Sequence, residues 1–214
     1  MKCGAHGGRR TPGRRYAGPV EPEALIGGEV QPGGRTPAPG GLALVQAFVN
    51  TVDLEHGPDL FAERAGLGAW LERWLPEAGT SPAPGELATA LELREALRAL
   101  LLANNGGPDA PIARTVLEQA ADRAGLRARF GPGTPFLAPA RDGVDGALGR
   151  VAAAAFAAML DGSWARLKAC PRDCCHWAFF DRSSNASATW CSMSVCGSRV
   201  KSGAYYRRRR AAAP

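Results

Sequence analysis

Cys170-Pro171-Arg172-Asp173-Cys174-Cys175-His176-Trp177-Ala178-Phe179-Phe180-Asp181 and Trp190-Cys191-Ser192-Met193-Ser194-Val195-Cys196-Gly197-Ser198-Arg199 decide how the end of this chain folds. Through Cys170, Cys175, Cys191 and Cys196 the spacing is C-x4-C-x15-C-x4-C, two equal close pairs with a connector long enough to fold back. Tetrahedral Zn²⁺ takes thiolates in such pairs. Cys174 adjoins Cys175, so both cannot point at one ion, and His176 is a further candidate. Cys175 is chosen because it makes the two pairs equal. Four thiolates leave no open position for water, so one structural Zn²⁺ is expected rather than a hydrolytic centre. A module this small cannot fold on apolar burial alone, and metal binding contributes roughly 10–16 kcal/mol in isolated finger peptides.

Between the pairs, Trp177-Ala178-Phe179-Phe180 has the aromatic content of a strand. Asp181–Ser187 reads as a polar turn, and Trp190 is expected to pack on Phe179 or Phe180 over the metal. The segment after Cys196 is expected to be a basic helix. Charge follows the same division. Residues 41–163 carry 10 Lys/Arg against 15 Asp/Glu, whereas residues 164–214 carry 10 against 2. An acidic body thus bears a basic end, which points to a polyanionic partner. Arg182, Arg199, Lys201, Arg207, Arg208, Arg209 and Arg210 are the candidate phosphate contacts, with DNA as the expected partner.

The body, residues 41–163, reads as mainly helical. Helices are expected from Leu42 to Val52, over Leu60–Leu75 up to Pro76, and from Glu86 to Asn104 before Gly106-Gly107-Pro108. Asp109 is expected to cap a helix over Pro111–Arg123 that Gly125 ends. Leu126–Phe130 and Thr134–Ala138 flank Gly131-Pro132-Gly133 as a small hairpin. The alanine-rich run Val144–Leu160 is expected to be a buried central helix leading into the cysteine module. Trp70 and Trp74 read as core, and His56 as an isolated surface residue.

Residues 1–40 hold 10 Gly and 6 Pro with no apolar period. Such a composition cannot offset its chain entropy, so this tail is expected to be disordered. No run of 18 apolar residues and no N-terminal signal-like run is found, which points to a cytoplasmic protein without membrane contact. There, clustered thiols read as metal ligands rather than disulfides. No Gly-rich phosphate loop, His–carboxylate set or Gly-x-Ser-x-Gly is present, so no catalytic residues are expected and the chain does not read as an enzyme. The fold class expected is mainly α with a small β-hairpin, followed over 164–210 by a zinc module built of a hairpin and a helix.

At the residues quoted above the chain resembles bacterial proteins with a CGNR-type zinc finger behind an ABATE domain. The resemblance rests on Cys170, Cys175, Trp177, Phe180-Asp181-Arg182-Ser183, Trp190-Cys191-Ser192-Met193 and Cys196-Gly197-Ser198-Arg199. Phe48-Val49-Asn50-Thr51-Val52-Asp53 is similar to the family's opening motif. The resemblance implies a stress-related transcriptional regulator whose finger binds DNA, and with the charge split it leads to the expectation that the helical body senses a small molecule or protein partner. Two departures stand out: Ser198 replaces the signature Asn, and residues 183–189 hold none of the arginines usual there. That second departure favours an alternative, a zinc-stabilised module that binds protein or RNA without specific DNA recognition.

Overall fold

Leucines three and four residues apart give one stretch an unbroken apolar stripe, and it becomes the long central helix. The computed structural model describes residues 31–78 and 81–202. Five helices form in the body: α1 (Leu42–Val49), α2 (Arg64–Trp74), α3 (Pro84–Ala103), α4 (Pro111–Ala124) and α5 (Gly143–Leu160). α3 buries Leu93, Leu97, Leu100 and Leu101 on one side, and Pro84 sits in its first turn where a missing N–H costs nothing. Trp70 is fully buried, edge-on to Phe48 and stacked on Trp74 at 6.1 Å, as the core reading of both tryptophans requires. α4 and α5 touch through Gly149, where an added Cβ would lie 2.2 Å from that of Ala124. A larger residue there would force the two helices apart.

Several boundaries differ from expectation. The first helix stops at Val49, because Asn50, Thr51 and Asp53 turn their polar groups to backbone partners. The second is broken into a single turn, Leu60–Ala62, followed by α2. Asp109 does not cap α4; Ala110 holds that position, and Asp109 instead forms a forked ion pair with Arg114. The body hairpin is the short pair β1 (Arg127–Arg129) and β2 (Phe136–Ala138), antiparallel with Ala128 opposite Leu137. α5 is the one described helix long and apolar enough, by length and composition, to cross a membrane, although no purely apolar run of that length exists. Half of it is buried inside the fold, against α4 and α1, and Phe156, Met159 and Leu160 at its end are exposed.

Residues 1–30 lie outside the described residues. Part of the last ten residues of the stretch expected to be disordered packs on the fold: Gln31, Pro32 and Ala38 are buried. Ala38 joins the helical core, and polar contacts hold the rest. The buried Gln46 carboxamide accepts from Ala38 N–H at 2.6 Å and donates to Gln31 at 2.8 Å. Arg35 donates to the Trp190 carbonyl at 3.1 Å and lies over the Phe179 ring.

A second hairpin, β3 (Leu167–Ala169) with β4 (Ala178–Phe180), follows a single turn over Ser163–Arg166. Its register sets Leu167 opposite Phe180, Lys168 opposite Phe179 and Ala169 opposite Ala178. Side chains alternate between faces along a strand. Leu167, Ala169, Ala178 and Phe180 therefore enter the helical core, while Phe179 joins the cysteines on the other side. The fold is mainly α with two small antiparallel hairpins, and the second belongs to two cores at once.

Candidate metal centre

Strand alternation carries Cys170 and Trp177 onto the same face as Phe179. Cys170 N–H donates to the Trp177 carbonyl at 3.0 Å, extending the ladder by one rung. The chain then turns tightly, with Cys175 N–H bonded to the Arg172 carbonyl at 2.8 Å. His176 exits this turn in the left-handed region at φ 46°, a strained position for a residue with a Cβ. The buried Arg98 of α3 fixes it there by donating to the His176 carbonyl at 3.0 Å. The second pair is shaped by Ser192: its hydroxyl accepts from Val195 N–H, and its carbonyl from Cys196 N–H at 2.9 Å and Gly197 N–H at 3.1 Å. That bonding winds Met193–Gly197 into a wide turn, and residues 198–202 continue as helix.

These turns bring Cys170, Cys175, Cys191 and Cys196 together, with all four Sγ atoms within 4.8 Å of one another and every side chain buried. Neither Cys174 nor His176 joins them. Sγ separations of 3.6 Å for Cys175–Cys191 and 3.5 Å for Cys191–Cys196 are far beyond a disulfide bond of about 2.05 Å. They approach the edge of about 3.8 Å that a tetrahedron of Zn–S bonds near 2.3 Å requires. Cys170 is held well below the usual thiol range by hydrogen bonds from Cys175, Cys191 and Cys196. Contact with Cys170 pushes Cys175 and Cys191 up, and burial adds to this. At Cys196 the Cys170 contact opposes ionisation, yet bonds from Cys175 and Cys191 bring the thiol down to about 7. Four buried sulfurs converging on one point can be thiolates together only with a cation among them, which is what a metal supplies. The donor set fits Zn²⁺, and a closed set of four makes the site structural.

Around the ligands lie Trp177 and Phe179, with Trp190, Val195 and Ala188 partly covering them. Beyond this shell the cations are heavily engaged. Lys168 is buried and donates to Asp181 Oδ2 at 2.8 Å and to the carbonyls of Ala186 and Ala188. Burial works against ionisation of Asp181, but Lys168, the Ser183 hydroxyl and two backbone N–H groups outweigh it and hold the carboxyl at about 2. Arg166 donates to the carbonyls of Asp181 and Ser183. The loop without arginines is thus folded around two finger cations rather than presenting its own.

Of the expected phosphate contacts, Arg182 is exposed, donates to the Pro37 carbonyl at 2.8 Å and lies over the Phe180 ring. Arg199 pairs with Glu55 of the body, and Arg172 pairs with the same carboxylate. Lys201 is exposed and, among the described residues, has no intramolecular partner. Arg207, Arg208, Arg209 and Arg210 lie outside the described residues. Ser198 bonds its hydroxyl to the Ser194 carbonyl at 2.7 Å, so the shorter side chain is spent on its own helix.

Sequence reasoning missed the body's contribution. Asn50 pairs with the backbone of Ala178 through both ends of its carboxamide, at 2.8 and 2.9 Å. Asn104 and Asn105 bind the carbonyls of Leu167 and Ala169. His56 is not isolated, since its Nδ1 lies 2.7 Å from Asp53 Oδ2. The available signal was the row of polar residues interrupting an apolar stripe at Gln46, Asn50, Thr51 and Asp53.

Residues 166–209 match the family model described as CGNR zinc finger. Residues 42–163, more than half of the chain, match the ABATE model, described as "Putative stress-induced transcription regulator". No curated protein matches the chain.

Proposed function

From the premise that the chain belongs to the ABATE family and ends in a CGNR zinc finger, we propose that it is a DNA-binding transcriptional regulator. In this reading zinc is a structural crosslink, no residue is catalytic, and the helical body receives a ligand or partner signal. The observation that carries it is the closed thiolate centre whose second pair opens directly into a helix with exposed Arg199 and Lys201. In sequence that helix is followed by the four arginines Arg207–Arg210. Phosphate contacts from such cations supply most non-specific affinity and make it salt-dependent.

Fluorescence anisotropy with pooled genomic duplexes at low salt tests the reading. Binding is expected, with a salt slope that falls by about 0.9 for each phosphate contact removed. Replacing Lys201 and Arg207–Arg210 by Gln should abolish it while zinc content stays at one per chain. Undetectable binding of the intact protein at low salt would sink the proposal.

A second reading, an RNA- or protein-binding module, is favoured by one observation: Arg166 and Lys168 turn inward, and residues 183–189 carry no cation. Nuclease-resistant co-purification of a defined protein with the full chain, together with no duplex binding, would select it.

A further inference from the structure

Glu55 is a carboxylate of the acidic body held between two guanidinium groups of the finger. Its Oε2 accepts from Arg172 Nη2 and its Oε1 from Arg199 Nη1. One arginine comes from the turn between the first two ligands, the other from the helix after the last. Two guanidinium groups converging on two oxygens of one group is the geometry by which proteins hold an oxyanion.

The clamp is not what docks the finger. Asn50 on Ala178, Arg98 on His176, and Asn105 on Ala169 and Thr189 already fix hairpin and knuckle to the body. Only the Asn50–Ala178 pair among them is buried, but they hold the finger from three separate positions of the body, and Arg199 keeps 38% of its side chain exposed and Glu55 21%. The carboxylate also leaves the site incompletely satisfied. Nε and Nη2 form one edge of a guanidinium, and the Nε of Arg172 is buried with no acceptor among the described residues. Trp177, which lines the same recess as Glu55 and Arg199, also has a buried indole N–H with no acceptor among the described residues. A group with more acceptor oxygens than a carboxylate has donors here to use.

Glu55 is presented deliberately. It stands in the loop Asp53–Pro58, closed at its base by Asp53 N–H on the Pro58 carbonyl at 2.8 Å. Asp53 Oδ1 accepts from the N–H groups of Glu55 and His56, and Gly57 completes the turn at φ +101°, a conformation that side chains resist. The backbone is thereby set, and only the Glu55 side chain reaches across.

We propose that Arg172 and Arg199 form a phosphate site for the nucleic-acid backbone, which Glu55 fills as an internal stand-in until bound nucleic acid displaces it. The body thus restrains its own finger: binding must first break the clamp, and a signal that shifts the 53–58 loop frees two cations. This rests on the finger binding DNA, and the experiment separates the two claims.

Anisotropy titrations of a 30-base-pair duplex, repeated across salt concentrations, compare the full-length protein with Glu55→Gln, Glu55→Asp and Glu72→Gln. If the clamp is closed about nine-tenths of the time, Glu55→Gln should bind about tenfold more tightly. Its salt slope should steepen by about one to two, for one or two added phosphate contacts. Glu55→Asp, one methylene too short to span both arginines, should gain part of this. Glu72→Gln, the same charge change at an exposed site on α2, should stay within about twofold of the parent. Adding Arg172→Gln and Arg199→Gln to Glu55→Gln should erase the gain. Duplex binding by the parent with no gain in Glu55→Gln overturns the stand-in and leaves DNA binding intact. An equal gain in Glu72→Gln also overturns it, as an effect of net charge. Failure of every variant to bind at low salt removes both claims.

Discussion

The two faces of the β3–β4 hairpin are held by different chemistry. Leu167, Ala169, Ala178 and Phe180 are packed by helices, and their cohesion is the non-directional burial of apolar area. On the opposite face Cys170, Trp177, Phe179, Lys168 and Asp181 depend on four thiolates, a shared cation and one buried ion pair. The first face tolerates small rearrangements; the second works only with every partner in place. Two strands of three residues each therefore separate a part of the protein that apolar packing maintains from one that metal maintains.

Metal removal should break the comparison most visibly. Chelation, or Cys170→Ser with Cys191→Ser, should forfeit folding free energy of roughly 10–16 kcal/mol at the finger, the scale measured for isolated fingers. Zinc content should fall to zero and proteases should cut between residues 170 and 196, while far-UV circular dichroism keeps most of its helical signal. Complete loss of that signal would show that the faces do not act separately. Leu167→Ala tests the other side. It should cost about 2–5 kcal/mol in denaturant unfolding yet retain about one zinc per chain.

Acid should act on the metal face through protonation of the thiolate ligands as well as through Asp181. Its folded pKa, about 2, lies below the unfolded value of 3.8, so its contribution is present above pH 4 and lost as pH falls toward 2. That contribution is about 2 kcal/mol, and an Asp181→Asn variant should show a flatter stability profile over the same interval. Smallest of all, Glu55→Gln should change stability by less than about 1 kcal/mol in thermal melts, because the pairs are only part-buried and the amide oxygen can still accept from an arginine. A larger drop would make the clamp a docking contact.

How much of this was legible beforehand depended on range. Ligand spacing is local, so Cys170, Cys175, Cys191 and Cys196 could be chosen from sequence, with equal pair lengths favouring Cys175 over its neighbour. Helix periodicity is local too, and it placed α3 and α5 to within a few residues. Lys168 entered only the charge count of residues 164–214 and Asp181 only a polar turn, because nothing in the chain shows that strand alternation sets both on the metal face. Glu55 and Arg199 are 144 residues apart, and only the docked fold makes them neighbours. A net charge counted along a segment also cannot reveal that Arg166 and Lys168 are consumed by backbone carbonyls.

Asn50 has a consequence beyond attaching the finger. Its carboxamide meets the outward-facing N–H and carbonyl of Ala178 as the peptide group of a third strand would. Unpaired strand edges recruit strands from other molecules, and short hairpins with one free edge are prone to it. Asn50, joined by Gln46 on the same carbonyl and Arg35 on that of Phe180, caps that edge, so the sheet stays at two strands and β4 offers no free template for chain-to-chain stacking.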